Sequence, residues 1–463
     1  MRLTLSILLW ELGLYRNSRL GREAILSRNQ RRFSRLVSYL KRHSPYYARI
    51  INERRIDPRQ ARPDDFPVMP KTEFMAHFDE IVTAPGLTRQ GIETFLEKSR
   101  EPSDLMDGRY VIVHSSGTSG QLAFCAYTLR EWVQGWTSFF RAVPVFGPIP
   151  RRTAFFGAAC GHFTAVTLAH TVHWLKIGIF HQSRRFDVNA PWREVIDGLN
   201  EFQPHNLTCY GSLLGELCAE QERRGLDIRP RTIICGGDPL LPQDRLRAER
   251  VFGARVIDVY ATTEMLVVGM AEPKSEGMVL LEDDLWIEVK DDHLLVTNLR
   301  NRTTPLIRYV HSDAVASPAF RDDYAFYRGF RRVEAVAGRR EDKLLLLNES
   351  GQQDFIHPLL IVEFFVRGME RFQVVRTGPA AFTFRVKLQT DLPPAERNRV
   401  AREIHAKWDA ILAQKNMRNV RYQVEWTEDL RHDARTGKFR LVETALTTRP
   451  TILQPAIPRR PAA

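Results

Sequence analysis

Between positions 110 and 335 the chain alternates short, almost wholly apolar runs with longer segments whose apolar residues recur every three or four positions. WREVIDGLNEFQP predicts a helix and HNLTCYG the buried strand that follows it. LGELCAEQERRGL, RTIICGG, PQDRLRAERVFG and RVIDVYATTE continue as helix, strand, helix and strand. Apolar strands separated by amphipathic helices predict a parallel sheet covered on both faces. Near Leu281 the period shortens. LWIEVKDDHLLVTNL predicts a hairpin turning at Asp291-Asp292-His293, and PLIRYVHSDAV continues in β style. Upstream, QRRFSRLVSYLKRHSPYYARIIN carries helical spacing broken near Ser44-Pro45.

Beyond Gly338 a second module begins. RFQVVRTG and AAFTFRVKLQTD predict paired strands, PPAERNRVAREIHAKWDAILAQ a helix, and VRYQVEWTEDL a further strand. Pro393-Pro394 stands where a helix entrance tolerates proline. The expected architecture is α/β: a large N-terminal domain, residues 1–337, of mixed and parallel sheets with flanking helices, and a small α+β C-terminal domain, 338–448. The proline-rich tail, 449–463, is expected to be disordered.

Composition adds limits. A 43% hydrophobic and 26% charged chain is an ordinary globular composition. The net charge of +12 is spread in short clusters such as Arg331-Arg332, which suits an anionic partner but matches no nucleic-acid motif, so no nucleic-acid partner is expected. The five cysteines form no CxxC pair, which argues against a disulfide framework and for a reducing, cytoplasmic location. His170 and His173 share a helical face without a second ligand pair and are expected in a core or pocket. The start, MRLTLSILLWELGLY, is interrupted by Glu11 and too short to span a bilayer. It predicts an amphipathic helix packed on the body, with a peripheral membrane contact as the alternative.

Three strand-end segments carry candidate chemistry, because ligands of open parallel sheets bind beyond the carboxyl ends of the strands. In the first, Ser115-Ser116-Gly117-Thr118-Ser119-Gly120, glycines admit a phosphate to backbone N–H groups and hydroxyls add donors. It lacks the lysine of a Walker loop. The second is Gly236-Gly237-Asp238, where glycines leave room for a flat ring and Asp238 accepts a hydrogen bond. In the third, Tyr260-Ala261-Thr262-Thr263-Glu264, an aromatic can stack, a threonine can donate to phosphate, and a carboxylate can hold Mg²⁺ through hard oxygens. Each has a plain alternative as a polar turn.

Together with PLIRYVHSD, GRREDKL and RTGKFR, in this order, these segments resemble the adenylate-forming superfamily of acyl-CoA synthetases. The branch is the phenylacetate–CoA ligase-like one, which includes coenzyme F390 synthetase-like proteins. FSRLVSYLKRHSPYY and FPVMPKTEF resemble that branch's N-terminal region, and the resemblance covers residues 30–445. It implies that Ser115 to Gly120 embrace the β- and γ-phosphates of ATP and that Gly236, Gly237 and Asp238 border the adenine, on which Tyr260 stacks. Thr262 and Thr263 would serve the phosphate, and Glu264 would hold Mg²⁺. Asp313 would bind the ribose, with Arg339 near the nucleotide. Lys438 would be the catalytic lysine of a mobile C-terminal lid turning about Glu341. The acid would sit by His162, Phe163, Tyr210 and Gly211, a partly aromatic setting that suits an aryl or apolar acid. The acceptor would be the thiol of coenzyme A or of an acidic carrier protein's phosphopantetheine arm.

The chain departs from that pattern in three places. Gln121-Leu122 stands where the family supplies Pro or Lys, Glu341 replaces the usual hinge Asp, and LLLLNESGQQDFIHPLL is longer and more polar than a thiol-channel turn, with Gly351 and Pro358 as anchors. Two alternatives follow: a nucleotidyltransferase that leaves AMP on a phenolic hydroxyl, and a nucleotide-binding protein with reduced turnover.

Overall fold

The computed structural model describes residues 2–114, 123–141, 148–174, 181–237, 240, 242–271, 277–290, 293–311, 314–315, 327–333, 336–337, 344–356, 361, 364, 366–388, 392–427, 430 and 441–444. The chain divides into two units, Met1–Arg340 with Val362–Phe364, and Glu341–Ile361 with Phe365–Ala463.

The first unit is built on an eight-stranded sheet. Its parallel half runs His181–Asp187, Arg151–Gly157, Asn206–Cys209, Thr232–Gly236 and Arg255–Thr262. These strands carry apolar interiors because the sheet is covered on both faces: Ile233, Ile234, Val256 and Ile257 are all buried. Helices Thr164–Trp174, Trp192–Phe202, Gly211–Glu222 and Pro242–Phe252 lie between successive strands in the chain. Helix Trp192–Phe202 buries Val195, Ile196 and Leu199 at the spacing read from the sequence, and stops at Gln203 in the left-handed region, φ 49°.

The sheet continues antiparallel through Leu266–Ala271, Met278–Leu280 and Arg332–Val333. Sequence pattern missed this extension, because short buried strands without alternation read like any apolar run. Beside it stand the expected hairpin Leu285–Val289 with Leu294–Asn298, joined by Tyr309–His311, and a second hairpin, Tyr110–His114 with Phe124–Thr128. The break at Ser44-Pro45 separates helices Arg22–His43 and Pro45–Glu53. Ser44 Oγ accepts from Tyr47 N–H at 3.5 Å, and Pro45 occupies the first helical turn.

The turn Glu282-Asp283-Asp284 is buried and acidic, which costs heavily without partners. Arginines from elements distant in sequence supply them: Arg22 at 2.7 Å and Arg331 at 2.5 Å on Glu282, Arg141 at 2.6 Å on Asp283, Arg32 at 2.7 Å and also Arg300 on Asp284. Asn17 adds a hydrogen bond to Asp283 at 2.8 Å. This network ties the N-terminal helices to the sheet.

In the second unit a four-stranded sheet pairs Met369–Gly378 with Ala381–Leu388, then Arg421–Trp426 and Val442–Thr444 at its edges. The helix Pro394–Gln414 lays Trp408 on Phe382, ring centroids 4.6 Å apart, and on Phe384 at 5.3 Å. The segment read as a long polar loop is a hairpin, Leu344–Leu347 with Gln353–Ile356. Its turn is closed by Asn348, whose Oδ1 accepts from Ser350 and Gln352 N–H at 3.1 and 2.9 Å, and by Gly351 at φ 71°. Pro358 and the tail from Ala445 onward lie outside the described residues.

Candidate functional site

Parallel strands end together, so the loops that follow them gather along one edge of the sheet. Thr232–Gly236 leads into Gly237, Arg255–Thr262 into Thr263-Glu264, Arg151–Gly157 into the turn before Thr164, and Asn206–Cys209 into Tyr210. Strands Tyr110–His114 and Phe124–Thr128 bracket Ser115, Ser116, Gly117, Thr118, Ser119 and Gly120, which lie outside the described residues. The root of that loop is described. His114 N–H donates to the His162 carbonyl at 3.1 Å, and its ring meets Phe163 edge-on, centroids 4.3 Å apart. Thr263 Oγ1 donates to the His114 carbonyl at 3.3 Å and lies 3.0 Å from Thr164 Oγ1. The loop root, the start of the helix Thr164–Trp174 and the Thr263-Glu264 corner therefore form one hydrogen-bonded constellation.

The corner is aimed by irregular backbone. A register shift falls between Tyr260 and Ala261, and Leu266, buried, holds φ 61°. A bulky residue in the left-handed region costs about 1–3 kcal/mol and persists only where its surroundings over-determine it. Tyr127 OH binds the Thr263 carbonyl at 2.7 Å and the Glu264 carbonyl at 3.0 Å, and Asn298 Nδ2 donates to the latter at 3.3 Å. Met265 N–H donates to Thr262 Oγ1 at 3.2 Å. Tyr309 OH donates to Glu264 Oε1 at 2.8 Å. Burial, and then the Glu264 charge, push the Tyr309 phenol far above its ordinary range; burial does the same for Tyr127. Both stay neutral donors. Tyr309 lies within the PLIRYVHSD motif and Tyr127 in none, and neither contact was legible, since each tyrosine lies far along the chain from the residue it positions.

Glu264 offers one hard carboxylate. Among the described residues no group of three or more His, Cys, Asp or Glu gathers as a metal cage. A single hard carboxylate such as that of Glu264 is a donor of the kind Mg²⁺ takes, its shell commonly completed by substrate phosphates and water.

On the neighbouring strand end, Gly237 has φ 88°, and a Cβ there would meet the Tyr210 ring at 3.0 Å. A Cβ on Gly236 would meet the Val259 carbonyl at 3.1 Å. Gly237 is thus held to glycine by its backbone conformation, and at Gly236 a side chain would fit only if the Val259 carbonyl gave way by a few tenths of an ångström. Tyr260 and Thr262 are half-buried beside them. Gly211, buried, opens its helix.

Two of the expected pocket residues are buried and hydrogen-bonded within the protein. Tyr210 is buried, and its OH accepts from Ala158 N–H at 3.1 Å. His162 is buried against Phe95, centroids 4.9 Å apart, with Nε2 at 2.9 Å from Ser99 Oγ. Ser99 gives its single hydroxyl proton to Asp104 at 2.6 Å, so His162 donates from Nε2. Burial lowers the His162 pKa, with Asp104 partly opposing, and keeps the ring neutral. His162 sits beneath the loop root as a support. Its partners are some sixty residues upstream, where no motif marks them. Phe163 is half-buried at the edge. Asp238, Asp313, Arg339, Glu341 and Lys438 lie outside the described residues.

The AMP-binding enzyme family matches residues 48–286. The phenylacetate-coenzyme A ligase of Thermus thermophilus is 22% identical over 358 residues, 71% of this chain and 73% of that protein. That of Pseudomonas putida is 26% identical over 257 residues, 50% of this chain and 55% of its own length. Among solved structures, 2-hydroxyisobutyryl-CoA ligase in complex with 2-HIB-AMP and CoA, in the thioesterification state, is 19% identical. It aligns with a TM-score of 0.56 over 91% of this chain and 89% of that one, a likeness of fold.

Proposed function

The chain belongs to the AMP-binding enzyme family, and from that premise we propose that it activates a carboxylic acid with ATP and passes the acyl group to a thiol. A carboxylate oxygen of the acid attacks the α-phosphorus, the bond to the bridging oxygen breaks, and pyrophosphate leaves with that electron pair. The thiol, losing its proton, then attacks the acyl carbon, and AMP departs from the adenylate. No general base is required for the first step, because the acid is ionised at neutral pH.

The observation that carries this reading is the constellation of Thr263, Glu264, Thr164 and the His114 loop root. In this reading Thr263 and the 115–120 loop hold phosphate oxygens, Glu264 holds Mg²⁺, and Gly236, Gly237 and Tyr260 border the adenine. The Mg²⁺ would offset charge accumulating where two anions meet. The resemblance assigns Lys438 as the catalytic lysine. The acid is aryl or otherwise apolar, taken beside Phe163. The phenylacetate-coenzyme A ligases among the relatives support coenzyme A as the acceptor.

Acid-dependent ATP–pyrophosphate exchange over a panel of aryl, fatty and hydroxy acids tests the proposal. Exchange with one class names the substrate class. A stable AMP ester of a phenol, with no exchange for any acid, would replace it with nucleotidyl transfer. That alternative comes from the branch the sequence resembles, which includes coenzyme F390 synthetase-like proteins.

The support under the loop gives a second expectation. Ser99→Ala leaves the buried His162 Nε2 without its acceptor, at a cost of about 1–3 kcal/mol. Steady-state kinetics should show the KM for ATP raised several-fold, with a smaller change in kcat. An unchanged KM alongside a lowered melting temperature would reduce Ser99 and His162 to scaffold.

A further inference from the structure

Among the described side chains of the first helix, Arg2–Asn17, those that pack on the body lie on one side. Leu14 and Asn17 are buried, and Trp10 joins the core with Arg130 lying 5.7 Å over its ring. The opposite side is apolar and exposed: Leu9 at 60%, Leu12 at 59% and Tyr15 at 53%. In the sequence, leucines also precede Leu9 and Leu12 by four residues, at Leu5 and Leu8. A helix apolar on two sides is ordinarily covered on both. Leu26, at the start of the next helix, adds a further exposed leucine at 39%.

Charge distinguishes the possible covers. Residues 1–43 carry ten Lys and Arg against two Glu, which is two thirds of the net charge of the whole chain. Arg22 and Arg32 are engaged with Glu282 and Asp284. Arg16, Arg19, Arg31, Arg35, Lys41 and Arg42 are exposed, and Arg19 lies 4.8 Å over the Tyr15 ring. Arg2 and Arg16 stand at the two ends of the helix whose exposed side is leucine-rich. A second copy docked on this face would bring two such arginine sets together. An anionic surface would neutralise them.

We propose that this face docks on an anionic lipid bilayer, with Leu9, Leu12 and Tyr15 entering the headgroup boundary and the arginines on lipid phosphates. Among the described residues no helix is long and apolar enough to cross a membrane, so the contact lies in the interface plane. Apolar insertion and attraction to anionic lipid act together in such helices, and salt screens only the second.

Flotation of the full chain with phosphatidylcholine vesicles, with and without phosphatidylglycerol, tests this. Binding is expected to need phosphatidylglycerol and to weaken with salt. Leu9→Glu with Leu12→Glu should reduce partitioning by at least about tenfold, since two inserted leucines are lost. Both side chains are exposed, so this variant should keep the wild-type melting temperature and pyrophosphate exchange. Arg16→Gln with Arg19→Gln should weaken binding and flatten its salt dependence. Absence of binding to either vesicle overturns the proposal, as does binding unaffected by the two glutamates. A dimer in light scattering that the same glutamates dissociate, without vesicle binding, would assign the face to a second copy instead.

Discussion

Replacing Glu264 with glutamine is expected to lower acid-dependent pyrophosphate exchange by roughly two to three orders of magnitude, the loss typical when a preorganised charge aimed at a transition state is removed. Glutamine has the same shape and still accepts from the Tyr309 phenol, so the corner should keep its geometry. What disappears is the negative charge proposed to hold the metal. Tyr309→Phe isolates the other half of the interaction: it keeps the charge but removes the hydrogen bond that orients it. Outer partners of this kind matter less than the ligand, and a loss of about ten- to a hundredfold is expected. The order of the two effects is the informative result. If Glu264→Gln exchanges pyrophosphate like the wild type while binding ATP normally, Glu264 is a structural carboxylate and the metal must be held elsewhere. Raising Mg²⁺ should rescue Tyr309→Phe better than Glu264→Gln, because only the former retains its carboxylate.

Much of the first unit's architecture was legible because a parallel sheet covered on both faces writes itself as apolar runs. RTIIC and RVIDV were identified as strands for that reason, and Val195, Ile196 and Leu199 marked a helix by period alone. The short antiparallel strands after Glu264 were not legible, since nothing local distinguishes LVVGMA from a buried parallel strand. The site was readable as types at strand ends, but not as contacts. Thr164 and Thr263 meet across 99 positions, and Tyr309 reaches Glu264 across 45. His162 shows the limit most clearly. A histidine after a strand in a glycine-rich turn suggests a pocket. Its burial and neutrality depend on Phe95, Ser99 and Asp104, which only the fold brings to it.

The largest effect on stability is expected at Asp283. It is fully buried against Arg141 and Asn17. Asp283→Ala leaves Arg141, itself only 4% exposed, without its direct ion-pair partner, at a cost of about 3–5 kcal/mol in urea unfolding of the first unit. Asp283→Leu combined with Arg141→Met removes both charges, and much of that loss should return, because a buried pair gains little over well-packed apolar groups. A double variant no better than the single would mean that the pair itself, rather than the orphaned charge, supports the fold. Its neighbour Asp284 adds a pH signature. Burial alone would raise its pKa, but Arg300, Arg32 and Arg141 outweigh burial and hold the carboxyl well below the ordinary value of about 4. A depressed folded pKa contributes stability that is fully present above the unfolded value and lost as pH falls toward the folded one. The wild type should therefore lose stability steeply below about pH 4, and Asp284→Asn, less stable at neutral pH, should show a shallower loss over the same range. Parallel slopes for the two proteins would mean that Asp284 does not carry the acid sensitivity of this network.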